Sequence, residues 1–168
     1  MIDAIYRRAA DLQRVDEALL RHRQPEERPD VPFPYTLAEQ LQLVHYAPTQ
    51  QYTAHHDFGF AHLDQNPDMQ PARFSTLLLY LNDEMEGGET AFPRWSNAET
   101  AEELAVKPEL GKALLFYSQL PDGNLDDLSQ HSAKPIITGS KVRISVSFRS
   151  AQLLDIPLTL GAPRICST

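Results

Sequence analysis

This 168-residue sequence predicts a mainly β fold with supporting helices, of the double-stranded β-helix (jelly-roll) kind. Three observations lead there. Helical periodicity is confined to the start of the chain. From residue 41 the apolar residues come in short runs bounded by Gly, Pro, Asn or Asp. The last of those runs alternates between apolar and polar side chains throughout. A helix followed by five or more short strands suggests a β-sandwich or barrel, for which the jelly roll is the natural candidate.

Taken in order, Ile2, Ile5, Ala9, Leu12, Val15 and Leu19 recur every three to four residues, so residues 2–21 read as a helix burying one stripe. The stretch HRQPEERPDVPFPY (22–35), with Pro25, Pro29, Pro32 and Pro34 among charged residues, suits a surface connection. Strands are expected in LQLVHYA, FSTLLLYLN (74–82), ALLFYS (113–118), PIIT (135–138) and KVRISVSFR (141–149). In the last, Val142, Ile144, Val146 and Phe148 share one face and Lys141, Arg143, Ser145, Ser147 and Arg149 the other. NAETAEELAV (97–106) is polar and reads as a short helix or an insertion between strands. The tail from Gln152 has little period.

The length fits one domain over 1–168: helix and proline-rich link in 1–40, a catalytic jelly roll in 41–149, and a tail in 150–168. With 15 Lys+Arg against 23 Asp+Glu the formal charge is -8, which gives no general attraction to nucleic acid or to an acidic membrane. A lone cysteine, Cys166, excludes an intrachain disulfide or a thiolate metal cluster. Any metal must therefore be bound through nitrogen and oxygen. No apolar run approaches the roughly 20 residues of a membrane span, and no leader is visible, so the default expectation is cytoplasmic. The endoplasmic reticulum enters only if the chain is cut from a longer, targeted one.

The chemistry-bearing residues cluster in YTAHHDF (52–58). In an extended segment, side chains two apart face the same way, so His55 and Asp57 point together and His56 points away. His131, which follows the loop PDGNLDDLSQ and precedes another short strand, is the natural third ligand. Two imidazoles and a carboxylate on one face of a metal leave about three octahedral positions open, the arrangement of non-haem iron(II) oxygenases. Lys141 lies ten residues beyond His131, where a cation can pair with the distal carboxylate of a dicarboxylic cosubstrate; as an ordinary strand residue it would be solvated. Tyr46 and Tyr80 offer hydroxyls from neighbouring strands, or are core aromatics with a satisfied polar tip.

Together LQLVHYAPTQQYTAHHDF, RFSTLLLYLNDEMEGGETAFP, VKPELGKALLFYSQLPDG and HSAKPIITGSK resemble the catalytic domain of the prolyl 4-hydroxylases, in the family's order, over roughly residues 41–149. The resemblance implies iron(II) bound by His55, Asp57 and His131, and 2-oxoglutarate held at its distal carboxylate by Lys141. Tyr46, Tyr80 and Thr76 would surround the cosubstrate, and Tyr52 and Arg73 the substrate side. It further implies O2 as oxidant, ascorbate as reductant, and a proline-containing peptide or protein hydroxylated at C4 while 2-oxoglutarate is converted to succinate and CO2. EGGET (86–90) would supply the turn of a family hairpin.

The sequence departs from the family at the substrate edge. Val142 stands where a Trp commonly follows the lysine, and the strand ends in Ser147, Phe148 and Arg149 instead of Trp, one residue and His. Arg149 either replaces that histidine or is a solvated strand end. The family's domain also normally begins with further strand and helix sequence, which predicts a truncated N-terminus. The alternatives are the same chemistry on a free amino acid, small metabolite or other side chain, and a non-catalytic jelly-roll module that binds peptide.

Overall fold

A computed structural model of the chain describes residues 2–20, 37–58, 72–96, 99 and 101–149. The expectations for the 22–35 link and the 150–168 tail lie outside them. Among the described residues no helix is long and apolar enough to cross a membrane.

The expected 2–21 helix is two helices, α1 (Ile2–Gln13) and α2 (Glu17–Leu20). The break is chemical. Arg14 adopts a left-handed φ of 56°, the Arg14 amide donates to the Asp11 carbonyl and the Val15 amide to the Ala10 carbonyl, which is a Schellman C-cap. Asp16 then caps the next helix, its Oδ1 accepting from the Ala18 amide at 2.9 Å. The apolar period runs across the break because both helices bury the same stripe.

Among the described residues ten strands follow: β1 (Gln42–Tyr46), β2 (Tyr52–His55), β3 (Arg73–Tyr80), β4 (Met85–Gly87), β5 (Thr90–Ser96), β6 (Glu103–Val106), β7 (Ala113–Tyr117), β8 (His131–Ala133), β9 (Ile136–Gly139) and β10 (Lys141–Arg149). They form an antiparallel sheet in the order β1-β10-β3-β7, a second in the order β2-β8-β5-β6, and a pair β4-β9, the predicted jelly-roll class. Tyr6, Ala9, Ala10 and Leu20 of the helices pack on Leu77, Val146 and Phe148 of the larger sheet. Full burial of each large apolar side chain there contributes about 1.5–3 kcal/mol. On that sheet's other face, Leu78, Phe92 and Phe116 join it to the second sheet, and Tyr46, Ala133 and Ile136 form a third cluster.

Two local expectations are corrected. Residues 103–106 of the segment expected as a short helix or an insertion between strands are strand β6, paired Thr90↔Val106 and Phe92↔Leu104. The open edge of β5 offers backbone partners that outweigh the weak helical preference of so short a polar segment. EGGET is not a hairpin turn: β4 pairs with β9 while β5 pairs with β8 and β6, so Gly87 and Gly88 carry the chain from one sheet to another.

The β9–β10 turn, which delivers Lys141, depends on Gly139. Its φ is 76°, and a Cβ there would lie 2.3 Å from the Glu84 carbonyl oxygen and 3.1 Å from Met85 Cα, both backbone atoms. Gly139→Ala is therefore expected to lower stability by about 1–3 kcal/mol, read as a shifted urea midpoint. An unchanged midpoint would mean that β4 can move aside. Asn82 completes the turn: its Oδ1 accepts from the Val142 amide at 2.7 Å and its Nδ2 donates to the Ser140 carbonyl at 2.7 Å.

Candidate metal centre

β2 and β8 pair in a register that sets His55 opposite His131, with ring centroids 4.3 Å apart. The β2 strand ends at His55, and Asp57 lies in the turn that follows. The two still converge, by a turn instead of by continued strand geometry. His55 Nε2 is 3.4 Å and His131 Nε2 3.8 Å from Asp57 Oδ1, and one ligand atom from each residue lies within 4.8 Å of the others. His56 faces away, its Nε2 3.2 Å from the Asp127 carbonyl oxygen and its ring stacked on Phe58.

The surroundings fix how these groups present themselves. His55 Nδ1 meets the Thr53 carbonyl at 2.8 Å and His131 Nδ1 meets the Ser129 carbonyl at 3.1 Å. A carbonyl oxygen can only accept, so each Nδ1 carries a proton and each ring turns its Nε2 toward Asp57. Burial, the largest influence on His131, lowers its pKa; Asp57 opposes that shift and His55 adds to it. Burial pushes the Asp57 carboxyl the other way, but the His55 hydrogen bond, the His131 charge, the Thr76 hydroxyl and Arg73 outweigh it and hold the pKa down to about 2. Two imidazoles and one carboxylate are thus brought together. Among the described residues no fourth ligand completes the cluster, so the donor set fits iron(II) with open positions and does not fit a closed zinc site.

Thr76, expected beside the cosubstrate, donates its hydroxyl to Asp57 Oδ2 at 2.6 Å, with Ser147 Oγ 3.3 Å away. It holds one carboxylate oxygen and leaves Oδ1 to face the imidazoles. Ser129 is in turn placed by a 3-10 helix, Asp127–Ser129, capped by Asp126, which accepts from the Leu128 amide. Phe116 and Phe92 close over the His131 ring, at 4.5 and 5.9 Å between centroids.

The polar face of β10 points inward. Val146 and Phe148 lie under the helices, so Lys141 and Ser147 of the alternate set are buried between the sheets. Lys141 is 0% exposed; its Nζ donates to the Gly88 carbonyl at 2.6 Å and lies 5.5 and 5.4 Å from the centres of the Tyr46 and Tyr80 rings. Burial first, then the Arg143 charge, lower its pKa to about 8, against an opposing pull from Glu89. Gly88 suits this contact because a Cβ there would strike Ile136 Cδ1 at 2.4 Å and press on Lys141 Cδ at 3.4 Å. The Tyr80 hydroxyl donates to Thr90 Oγ1 at 2.8 Å, and the Tyr46 hydroxyl accepts from Arg143 Nη2 at 3.3 Å.

At the outer edge, Tyr52 is half exposed and meets the His55 ring edge-on, centroids 4.3 Å apart. Arg73 forms a bidentate pair with Glu39, 2.9 Å to Oε1 and 2.8 Å to Oε2, and its Nη1 lies 4.0 Å from Asp57 Oδ1. Arg149 also reaches Glu39 Oε1, at 3.4 Å, brought opposite Arg73 by a bulge after Phe148. Arg149 is thus a paired strand end beside the site. Glu39, which joins both arginines, carries no motif that sequence reading would detect. Arg143 was visible on the polar face of the last strand, but nothing in the alternation says that this face is interior.

Residues 41–148 match the family model described as the 2OG-Fe(II) oxygenase superfamily. Two Arabidopsis thaliana proteins named probable prolyl 4-hydroxylase 3 and probable prolyl 4-hydroxylase 8 are each 39% identical, over 121 and 115 residues, which is 65% and 61% of this chain. The matches cover 42% and 39% of those proteins, so the chain spans about two-fifths of the length of the curated relatives it matches. Among solved structures, the viral collagen prolyl hydroxylase of Paramecium Bursaria Chlorella virus-1, as its 2OG complex, aligns over 89% of this chain and 72% of its own, with a TM-score of 0.62 and 23% identity, a likeness of fold. A truncated form of that viral hydroxylase aligns over 67% of this chain and 57% of its own, with a TM-score of 0.54 and 28% identity.

Proposed function

This chain belongs to the 2OG-Fe(II) oxygenase superfamily, and from that premise we propose that it hydroxylates peptidyl proline at C4, with iron(II) held by His55, Asp57 and His131. The observation that carries the proposal is the convergence of those three ligand atoms within 4.8 Å on the same inter-sheet space that contains a buried cation, Lys141. The names of the Arabidopsis relatives support proline as the substrate.

In this reading residues 41–149 are the catalytic portion. Lys141 receives the distal carboxylate of 2-oxoglutarate, with Tyr46 and Tyr80 as the aromatic walls of its pocket. Thr76 holds Asp57 Oδ2 and leaves Oδ1 to ligate, and the Thr53 and Ser129 carbonyls fix the imidazole tautomers. Phe92 and Phe116 keep water from the His131 side. Tyr52 and the Arg73–Glu39–Arg149 group lie where a peptide would meet the site from outside. Iron with 2-oxoglutarate and O2 supplies the oxidation, in which one oxygen atom ends in succinate, with release of CO2, and the other in the hydroxylated product. Ascorbate would return the metal to iron(II) after uncoupled turnover.

Incubation of the protein with a proline-rich peptide, iron(II), 2-oxoglutarate and ascorbate is expected to add one oxygen atom to proline, read by fragment mass spectrometry. Succinate formed without any modified peptide would replace the prolyl substrate with a free amino acid or small metabolite. No succinate with any of these would remove the enzymatic reading in favour of a binding module.

A further inference from the structure

Arg143 is a charged residue of the inner wall to which the functional reading gives no task. It stands on β10 two residues from Lys141, on the same face, opposite Val44 of β1 and Tyr80 of β3. Its guanidinium carbon lies 5.8 Å from the centre of the Tyr46 ring, the same ring that lies 5.5 Å from Lys141 Nζ. Nη2 is bound to the Tyr46 hydroxyl, whereas Nη1 is buried and has no hydrogen-bond partner among the described residues.

Such an arrangement is costly unless something completes it. A guanidinium cannot shed its proton, a buried donor without an acceptor carries its desolvation penalty uncompensated, and two neighbouring cations repel in a poorly screened space. Among the described residues, neither Lys141 nor Arg143 forms an ion pair with a carboxylate; the partners found are the Gly88 carbonyl and the Tyr46 hydroxyl. A doubly charged anion removes both costs on entering, offering the donor an acceptor and offsetting the repulsion. Planar two-armed donors also match carboxylate geometry better than an ammonium does.

We infer that Arg143 is a second anchor for the cosubstrate, its Nη1 donating to the same distal carboxylate that Lys141 receives. The inference rests on the proposed oxygenase reading and deepens it. The site then selects a 2-oxo acid with a second carboxylate through two cations instead of one.

The test is anaerobic calorimetric titration of the full chain, loaded with Mn(II) so that no turnover occurs, with 2-oxoglutarate and with 2-oxopentanoate, which has the same carbon length and no distal carboxylate. Arg143→Gln is expected to weaken 2-oxoglutarate binding about tenfold or more and to leave 2-oxopentanoate within about twofold. Arg143→Lys keeps the charge but not the fork, and is expected to fall between wild type and Arg143→Gln. If the glutamine variant does not fold, a selective several-fold loss for 2-oxoglutarate in the lysine variant carries the same meaning. Unchanged 2-oxoglutarate affinity, or an equal loss for both ligands, would overturn the assignment of Arg143 while leaving the oxygenase reading intact. Failure of the wild type to bind 2-oxoglutarate at all would overturn that reading, and the inference with it.

Discussion

His131→Ala is expected to abolish succinate formation and to reduce iron retained after anaerobic loading. Loss of groups that merely orient metal ligands costs about 10–100-fold, so loss of a ligand costs more than about 100-fold. His131 also touches Phe92 and Phe116, and its removal leaves space between the sheets. The control is therefore Ser129→Ala, in which the Ser129 carbonyl that accepts from His131 Nδ1 remains; near-normal iron retention there, with none in His131→Ala, separates ligation from packing. Undiminished succinate formation by a folded His131→Ala protein would sink the triad assignment.

Lys141→Met is expected to weaken 2-oxoglutarate binding by about 10–100-fold, the cost of losing a buried charge-assisted hydrogen bond, with methionine filling most of the vacated volume. The pH dependence identifies the group. Lys141 titrates near 8 in the unliganded fold, and the distal carboxylate requires its protonated form. Below pH 8 the proton is already in place and affinity is flat on this account. Above pH 8 binding must take up a proton, and affinity falls by up to about tenfold per pH unit. Lys141→Met should lack that alkaline limb. Its contribution to unliganded stability has the opposite sign. Between about 8 and the unfolded value of 10.5 the unfolded chain holds the extra proton, so stability rises with pH through that window and is lost as pH falls through 8. An unaltered affinity and pH profile in Lys141→Met would remove Lys141 from the pocket.

The same residues show how far the chain could be read in advance. The strands were legible because alternation and turn residues are local: KVRISVSFR is β10 to the residue, and FSTLLLYLN lies on β3 within two residues at either end. The helix break at Arg14 was not, because a left-handed Arg has no sequence mark of the kind a glycine leaves. Strand β6 was not, because its extended form depends on an edge supplied by β5 from outside the segment. The H-x-D spacing brought His55 and Asp57 to attention, but their meeting depends on a turn after β2 and on a β2–β8 register that sets His131 opposite His55.

The sequence by itself determined which side chains travel together: the apolar and polar sets of β10, the ligand types in YTAHHDF, and the ten-residue step from His131 to Lys141. Only the tertiary structure decided which set meets water. Helices α1 and α2 cover the apolar face of the larger sheet, so Lys141, Arg143 and Ser147 line the interior instead of being solvated. Period two in a strand assigns residues to faces, but the environment of a face is set by whatever distant segment packs on the other one. That same non-local choice sends Thr76 to Asp57 and leaves a buried arginine donor beside the lysine.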